Sequence, residues 1–311
     1  MTDLEIIEQL NNSPLIKKKY LDNSIVSYNF TREAFYKQEW NDLTCRARGL
    51  FIDSETNKIV ARSYDKFFND SQLSYEQLKK FEHPFEVSFK ENGYLGLLSY
   101  NFKTDDFFIT TKSVDYGDYK DWFKQILEQN NYLTDVLKNF LATNNVTMVF
   151  EVIDPEHDSH IIEYDKKEVI LLDIVENSFV FKPKEYDFVE NIAKTFKFKH
   201  KQLCLQASQT DIDFLLMFLN LSLGDKEVKI EGLVVRDCKN RMFKIKSYYY
   251  IYWKTIRNYL QRIINNKLNL EDIDKMKELE EVKNILRYAF DNYYSDMSLI
   301  EFRKEYESRK N

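Results

Sequence analysis

The sequence predicts an α+β fold in which antiparallel sheets are flanked by helices. Between about residues 85 and 246, short segments rich in branched and aromatic residues have the pattern of β-strands. Helical periodicity interrupts them, without the regular strand–helix alternation of a Rossmann fold. After Lys246 the chain is rich in charged residues and carries apolar residues at helical spacing. We therefore divide the chain into a sheet-containing domain, residues 1–253, and a small all-helical C-terminal domain, residues 254–311.

The elements follow one another in a clear order. The predicted strands are FEVSFK, LGLLSY, FFITT, VTMVFEV, EVILLDI, SFVF, IEGLVVR and MFKIK. Three segments between them have apolar residues at helical spacing: YKDWFKQILEQNNYLTDVLKNFLATN, YDFVENIAKTF and DIDFLLMFLNLSL. In the C-terminal region, Ile256, Leu260, Ile263 and Ile264 form an apolar stripe. This stripe predicts helices that pack against other apolar residues.

Composition limits the class of protein. With 311 residues and 43% hydrophobic content, the chain can bury a sizeable core. The N-terminal segment lacks the pattern of a signal peptide and no apolar run approaches membrane-spanning length, so we expect a soluble, cytoplasmic protein with no membrane partner. We also expect a monomer. A net charge of −6 argues against non-specific coating of nucleic acid, so any nucleic-acid site must be a local basic groove.

Cysteine and histidine patterns give little support for a metal centre. Cys45, Cys204 and Cys238 are far apart and form no C-x-x-C pair, which argues against a disulfide framework or a cysteine zinc site. His157 and His160 in HDSH lack the i, i+4 spacing of a helical ligand pair. This spacing favours a polar surface loop over a metal pair.

Strand alternation separates several charged side chains from their apolar neighbours. Lys90 ends the strand FEVSFK on the face opposite its aromatic residues, and Glu151 and Glu231 lie opposite apolar neighbours in the same way. Lys244 and Lys246 share one face of MFKIK. Three further cations are candidates for the same cleft: Arg48, Lys66 and Lys112. Such a collection of charges suits a polyphosphate ligand.

The order of these motifs resembles that of the covalent nucleotidyltransferases, the superfamily of DNA ligases, RNA ligases and mRNA capping enzymes. Lys90 to Gly93 (K-x-x-G), Phe150-Glu151, Glu231 to Val234 (E-G-x-V) and Lys244 to Lys246 (K-x-K) are similar to its motifs I, III, IV and V. Each motif alone is weak, whereas four in order are specific. The segments ARGLFID and DKFFN resemble those of the bacteriophage tRNA-repair RNA ligases, the RNA ligase 1 family. The resemblance covers roughly residues 25 to 255.

This resemblance implies an ATP-grasp-like nucleotidyltransferase domain and an ATP-dependent RNA ligase, which joins RNA 5′-phosphate and 3′-hydroxyl ends through lysyl-AMP and RNA-adenylate intermediates in tRNA repair. The implied cofactors are ATP and Mg²⁺, with Mn²⁺ as an alternative metal, and the implied partners are RNA ends, cleaved tRNA among them. The implied catalytic residues are Lys90, Lys244, Lys246 and Glu231, and Glu231 would also hold the metal through water. The implied nucleotide-binding residues are Arg48, Lys66, Phe68, Glu91, Gly93, Lys112, Glu151, Val234, Tyr250 and Tyr28.

The first chemical step requires Lys90 to be neutral when it attacks phosphorus. A lysine at its reference pKa of about 10.4 is almost entirely protonated at pH 7, which handicaps its attack on phosphorus by roughly 4–5 kcal/mol. We expect Lys244, Lys246 and a hydrated Mg²⁺ to lower the pKa of Lys90, because they disfavour a further positive charge. We also expect Gly93 to allow a tight backbone turn where the nucleotide comes close.

Other functions are alternatives. A degenerate nucleotidyltransferase would bind nucleotide or RNA without chemistry, but the complete set of lysines and glutamates argues against it. DNA ligases and capping enzymes place an OB-fold after the K-x-K motif, and the helical periodicity after Lys246 argues against such a barrel. The choice of ATP over GTP rests on the resemblance alone.

Overall fold

The computed structural model describes residues 2–22 and 24–309, in which the chain forms three β-sheets flanked by helices. The strands are β1 Ile16–Tyr20, β2 Ile25–Phe30, β3 Leu50–Asp53, β4 Ile59–Arg62, β5 Phe68–Asn69, β6 Phe85–Lys90, β7 Tyr94–Asn101, β8 Asp106–Thr111, β9 Val146–Ile153, β10 Glu168–Glu176, β11 Lys199–His200, β12 Leu203–Ala207, β13 Gly232–Arg236 and β14 Met242–Lys246. The helices are α1 Asp3–Asn12, α2 Arg32–Lys37, α3 Asp42–Arg46, α4 Tyr75–Leu78, α5 Asp118–Gln129, α6 Asp135–Asn144, α7 Tyr186–Phe196, α8 Ile212–Leu223, α9 Tyr248–Ile264, α10 Leu270–Lys275, α11 Glu280–Asn292 and α12 Leu299–Ser308. The predicted α+β class is confirmed.

Each sheet is mainly antiparallel. The first sheet has the order β1-β2-β3-β4 and is antiparallel throughout. The second has the order β11-β10-β9-β7-β8, and the third has the order β12-β6-β13-β14-β5. Each of these two contains one short parallel pair at an edge, β10 with β11 and β14 with β5. The prediction of antiparallel sheets therefore holds apart from these two edges.

The sequence prediction missed the first sheet and misplaced one strand. The first sheet lies before residue 85, where no strand was predicted. The predicted strand SFVF, residues 178–181, is instead a bend in which Phe179 is buried. The guanidinium of the buried Arg62 donates to the carbonyl oxygens of Ser178 and Phe179, both at 2.9 Å. These bonds satisfy the backbone without a strand partner, and they depend on a residue more than a hundred positions away.

Apolar cores fix the sheets in relation to one another. One core lies between the second sheet and helices α5, α6 and α7. Another joins the first sheet to the second, where the rings of Phe51 and Phe108 meet edge to face at 5.5 Å. A further core joins the third sheet to α8. Parts of the second and third sheets that these cores leave uncovered line a shared cavity.

Helices α9 to α12 pack around a core of their own, which also includes Ile161 and Ile162 from the loop after β9. Helix α9 is continuous from Tyr248 to Ile264, so the boundary predicted at 253/254 falls inside a helix. The division into two domains stays a prediction, and its outer ends, Met1 and Asn311, lie outside the described residues. Within the ranges 2–22 and 24–309, no helix has both the length and the apolar character needed to cross a membrane.

Candidate active site

Strand register brings Lys90 and Lys246 to the same end of the third sheet. Strand β13 pairs with β6 on one side and with β14 on the other, and Gly232 lies opposite both lysines. A Cβ at Gly232 would lie 2.1 Å from the carbonyl oxygen of Ile245, and φ at this residue is +151°. Only glycine fits there, so the two lysines flank a position that has no side chain.

Glu231, immediately before β13, connects the two lysines. Its Oε1 lies 2.8 Å from Lys90 Nζ and also accepts a hydrogen bond from Lys246 Nζ. The residue is only 4% exposed. Burial would raise the pKa of Glu231, but the two ammonium groups outweigh burial and lower it. Glu231 is therefore a carboxylate shared by two cations.

The pKa values of the lysines differ from the expectation. Burial disfavours the charged form of Lys90, but the carboxylates of Glu231 and Glu151 outweigh burial and raise its pKa. Burial and then the charge of Lys246 lower the pKa of Lys244 to about 7. Burial and then the charge of Lys90 lower the pKa of Lys246 to about 8. The two carboxylates that face Lys90 thus outweigh the neighbouring lysines, and the lowering of its pKa that was expected with a hydrated Mg²⁺ beside it stays a prediction.

Glu151 reaches the site from the second sheet. It is only 8% exposed, and its Oε1 accepts a hydrogen bond from the N–H of Gly93 at 2.9 Å. Burial, partly offset by Lys90, raises the pKa of Glu151. A Cβ at Gly93 would lie 2.1 Å from the carbonyl oxygen of Val152, and φ at Gly93 is not positive. Gly93 is thus required by the close approach of β9 to the turn after Lys90, and its expected contact with the nucleotide stays a prediction.

The turn after Lys90 is held by residues 161–164. The hydroxyl of Tyr164 donates to Glu91 Oε2 at 3.0 Å and accepts the N–H of Asn92 at 2.7 Å. Asn92 Oδ1 in turn accepts the N–H groups of Ile161 and Ile162. Glu91 lines the inner cavity described below, but its carboxylate already has Tyr164 as a partner. Its predicted contact with the nucleotide stays a prediction.

Arg48 and Lys66 lie near the lysine cluster. Lys66 Nζ lies 5.0 Å from the centre of the Trp40 ring and 4.0 Å from that of Phe68, so Phe68 contacts this cation directly. Burial and then the charge of Arg48 lower the pKa of Lys66 to about 8. Nη1 of Arg48 is buried and has no hydrogen-bond partner in the described part of the chain. A buried donor without a partner is rare and is consistent with an anion-binding site.

Of the remaining predicted residues, Lys112, Val234 and Tyr250 belong to the site and Tyr28 does not. Lys112 lines the open cleft, Val234 lines the inner cavity, and the Tyr250 ring lies 4.4 Å below Lys246 Nζ. Tyr28 is buried against α1, where its hydroxyl donates to an asparagine side chain at 3.0 Å. The structure does not bring Tyr28 to the cleft, because its ring is taken up by the apolar core under the first sheet.

The site residues line two adjoining spaces. An inner cavity of about 100 Å³ has an apolar wall that includes Phe67, Leu95, Leu172, Val234 and Met242. An open cleft of about 700 Å³ adjoins it. Four charged residues line both spaces: Arg48, Lys90, Glu151 and Lys244. This arrangement can hold an apolar planar group inside and present its charged substituents to the cations at the junction.

A buried charge network beside the inner cavity was missed by sequence reasoning. Asp173 on β10 accepts hydrogen bonds from the hydroxyl of Tyr64 at 2.5 Å, from Lys201 Nζ at 2.7 Å and from Arg236 Nη1 at 3.1 Å. Arg236 also donates to Glu86 on β6 at 2.9 Å. The signal was the aspartate inside the apolar segment EVILLDI, since a charge in a buried strand requires partners.

The described residues contain no group of three or more acidic, histidine or cysteine side chains that could enclose a metal ion. The rings of His157 and Trp122 stack with their centres 4.4 Å apart, and His157 Nδ1 lies 2.7 Å from Asp154 Oδ2. These contacts hold His157 in the loop after β9. Glu231, the carboxylate that contacts both Lys90 and Lys246, would hold a Mg²⁺ through water, since this ion keeps much of its hydration shell in proteins.

Known ligases share this fold. A solved structure of an archaeal ATP-dependent RNA ligase is 12% identical, has a TM-score of 0.56, and is matched over 98% of this chain and 74% of its own. That of a proposed ATP-dependent DNA ligase from Aquifex aeolicus is 15% identical, also has a TM-score of 0.56, and is matched over 93% and 72%. The chain therefore shares its fold with these two ligases.

The family model described as RNA ligase matches residues 46–252, which include all the site residues that the structure brings together. The chain belongs to this RNA ligase family, as the motifs predicted. It is also similar to the tRNA ligase of Candida albicans, with 25% identity over 338 residues and 89% of this chain covered. The chain spans 40% of the length of that relative.

Proposed function

We propose that this protein is an ATP-dependent RNA ligase that joins a 5′-phosphate to a 3′-hydroxyl through a lysyl-AMP intermediate. The observation that carries the proposal is the position of Lys90, which lines both the inner cavity and the open cleft and faces Glu231, Lys244 and Lys246. The name of the Candida relative and the resemblance to phage tRNA-repair ligases favour cleaved tRNA as the substrate.

In the first step Lys90 Nζ attacks the α-phosphorus of ATP. Lys90 first loses a proton to solvent and attacks as the neutral amine; an N–P bond then forms, the P–O bond to pyrophosphate breaks, and the nitrogen releases a second proton to solvent. The adenine would lie against the apolar wall of the inner cavity, with Glu151 at the ribose, and pyrophosphate would leave through the open cleft. Lys244 and Arg48, which line both spaces, would stabilise the negative charge on the phosphates.

The ion pair with Glu231 orients Lys90 and also retains its proton. Attack therefore requires Glu231 to give up Lys90 for another cation. Lys246 already contacts the same carboxylate, and Mg²⁺ bound through water would be a further partner. When bound, the metal would neutralise charge on the nucleotide phosphates.

The second and third steps return Lys90 to its starting state. An oxygen of the RNA 5′-phosphate attacks the AMP phosphorus, the N–P bond breaks, and the Lys90 nitrogen leaves and regains two protons from solvent. The 3′-hydroxyl of the other strand then attacks the RNA 5′-phosphorus, loses its proton and displaces AMP. The open cleft would provide the route by which both RNA ends approach.

The test is the intact mass of the full chain after treatment with pyrophosphate, removal of pyrophosphate, and incubation with Mg²⁺ and either ATP or GTP without RNA. We expect wild type to gain one AMP, Lys90→Ala to gain nothing, and the control Lys194→Ala, an exposed lysine on α7, to behave as wild type. A GMP adduct would indicate capping-type chemistry. No adduct with either nucleotide would favour a binding module and contradict the proposal.

The substrate is tested separately by joining assays. Single-stranded RNA, nicked DNA and a tRNA cleaved in its anticodon loop are each supplied with 5′-phosphate and 3′-hydroxyl ends. Sealing of the two RNA substrates without sealing of DNA is the expected outcome. Preferential sealing of DNA would contradict the RNA assignment while leaving the lysyl-AMP step intact.

A further inference from the structure

We propose that Tyr116 and Tyr119 form a stacking platform for the first nucleobase of the RNA strand that carries the 5′-phosphate. The inference rests on the proposed function and identifies the wall of the open cleft that receives the RNA. Both tyrosines line this cleft together with Lys90, although neither belongs to a sequence motif described above. Tyr116 lies in the loop between β8 and α5, residues 112–117, and Tyr119 lies in the first turn of α5.

The loop is fixed at its base. The carbonyl oxygen of Val114 accepts hydrogen bonds from the N–H of Thr111 at 3.0 Å and from the hydroxyl of Thr110 at 2.6 Å. Ser27 of β2 donates to the carbonyl oxygen of Ser113 at 2.9 Å, and the Ser113 hydroxyl donates to an asparagine of β2 at 3.0 Å. A loop anchored in this way presents its side chains at a low cost in conformational entropy.

Tyr119 is held at its edges. Its hydroxyl donates to Asp158 Oδ1 at 3.1 Å, and its carbonyl oxygen accepts from the hydroxyl of Tyr94 at 2.9 Å. The rings of Tyr94 and Tyr119 meet edge to face at 4.8 Å. Tyr119 nevertheless stays 43% exposed, so its orientation is fixed while part of its ring remains open to the cleft.

Tyr116 has no such support. It is 61% exposed, and no other described residue forms a hydrogen bond, ion pair or ring contact with its side chain. The next residue, Gly117, has φ of +88° and open space where a Cβ would lie, so the backbone turns sharply between Tyr116 and α5. An aromatic side chain that is mostly exposed and forms no hydrogen bond or ring contact with the described residues, yet lines the cleft, is available to a ligand.

The charges of the cleft indicate which ligand fits. Arg48, Lys112, Lys244 and Lys246 line the same cleft as the tyrosines, within a protein whose net charge is −6. A local cationic groove with exposed aromatic rings is typical of sites that bind single-stranded nucleic acid, in which phosphates meet the cations and bases stack on the rings. A base linked to a 5′-phosphate at Lys90 satisfies both features.

The test uses a short single-stranded RNA that carries an AMP on its 5′-phosphate and the fluorescent base 2-aminopurine as its first nucleobase. Stacking quenches the fluorescence of this base, and binding is measured without joining. Wild type, Tyr116→Ala and Tyr116→Phe are compared as full chains. The matched control is Phe102→Ala, whose side chain is 58% exposed in the turn at the other end of the β7–β8 hairpin.

We expect quenching by wild type, Tyr116→Phe and Phe102→Ala, and weaker binding with loss of quenching by Tyr116→Ala, with Kd raised roughly 5- to 100-fold. An RNA that lacks the first base should bind wild type as weakly as Tyr116→Ala, with no further loss in that variant. Equal Kd and quenching for Tyr116→Ala and wild type, or no binding of the labelled RNA by wild type, would overturn the platform. The AMP adduct of wild type is measured in parallel, so failure of the proposed catalysis is scored separately.

Discussion

Lys90 is held by a carboxylate that positions its nitrogen and keeps it protonated. Glu231 lies 2.8 Å from Lys90 Nζ, and the carboxylates of Glu231 and Glu151 outweigh burial to raise its pKa. Lys244, with a pKa of about 7, is the lysine of the cluster that burial and neighbouring cations discharge most readily. Lys90 therefore stays protonated near neutral pH, whereas Lys244 and Lys246 have pKa values of about 7 and about 8 and change their charge there.

This separation predicts opposite effects of pH on two kinetic quantities. The pKa of Lys90 is raised, so its neutral fraction should grow about tenfold for each pH unit between 6 and 9, and the rate of adduct formation at saturating ATP should rise with it. Lys244 and Lys246 lose their charge near pH 7 and 8, so the ATP concentration at half-maximal rate should increase over the same range. Single-turnover intact-mass measurements give both quantities.

A rate of adduct formation that is flat above pH 7 would contradict this prediction. It would mean that bound nucleotide and metal reverse the effect of the two carboxylates and lower the pKa of Lys90, as the motifs alone led us to expect. Circular dichroism of wild type at each pH is the control for general effects of pH on the fold.

At the scale of elements, a buried charge network fastens the second sheet to the third. Asp173 lies on β10, Arg236 on β13 and Glu86 on β6, so hydrogen bonds through Arg236 connect three strands. The residues of this network also line the inner cavity. The network therefore spans the two sheets at the wall of the cavity.

Asp173→Asn should lower the free energy of unfolding by about 3–5 kcal/mol, because Lys201 and Arg236 would be left buried around a neutral group. Chemical denaturation followed by circular dichroism measures the change. The matched control is Glu55→Gln, whose partner Lys103 lies at the surface and whose loss should change stability by less than about 1 kcal/mol. Equal stability of Asp173→Asn and wild type would show that the network does not support the fold.

At the scale of the whole molecule, the C-terminal helices support the turn that follows Lys90. Arg303 on α12 is 4% exposed and donates to the carbonyl oxygen of Ile161 at 2.9 Å. The N–H of Ile161 donates to Asn92 Oδ1, also at 2.9 Å, and Asn92 belongs to the turn. A chain of two hydrogen bonds thus links the last helix to the candidate active site.

Arg303→Ala should therefore slow the formation of the AMP adduct by roughly 10- to 100-fold, since small displacements of a nucleophile have effects of this size. The rate is measured well below the melting temperature of the variant, so that unfolding does not contribute. Lys304→Ala removes an exposed neighbour on the same helix and should react as wild type. Identical rates for Arg303→Ala and wild type would show that the C-terminal helices do not affect the first step.

The sequence by itself determined the α+β class, the strands that carry the charged motifs and the identity of most of the cluster. Lys90, Glu231 and Lys246 could be predicted because residue type and strand alternation are local properties. The first sheet was missed, since the strand pattern was recognised only from residue 85 onward. Tyr28 was assigned to the site from the family resemblance, whereas its side chain packs against α1.

Only the tertiary structure decided how these residues interact. The raised pKa of Lys90 follows from two carboxylates placed beside it by different strands, and the network around Asp173 joins residues 64, 173, 201 and 236. Tyr116 could likewise be proposed as a base-stacking residue only because the structure places it in the same cleft as Lys90. Motifs record which groups are available, but pKa values and partners depend on distance and burial, which arise when segments far apart in the chain pack together.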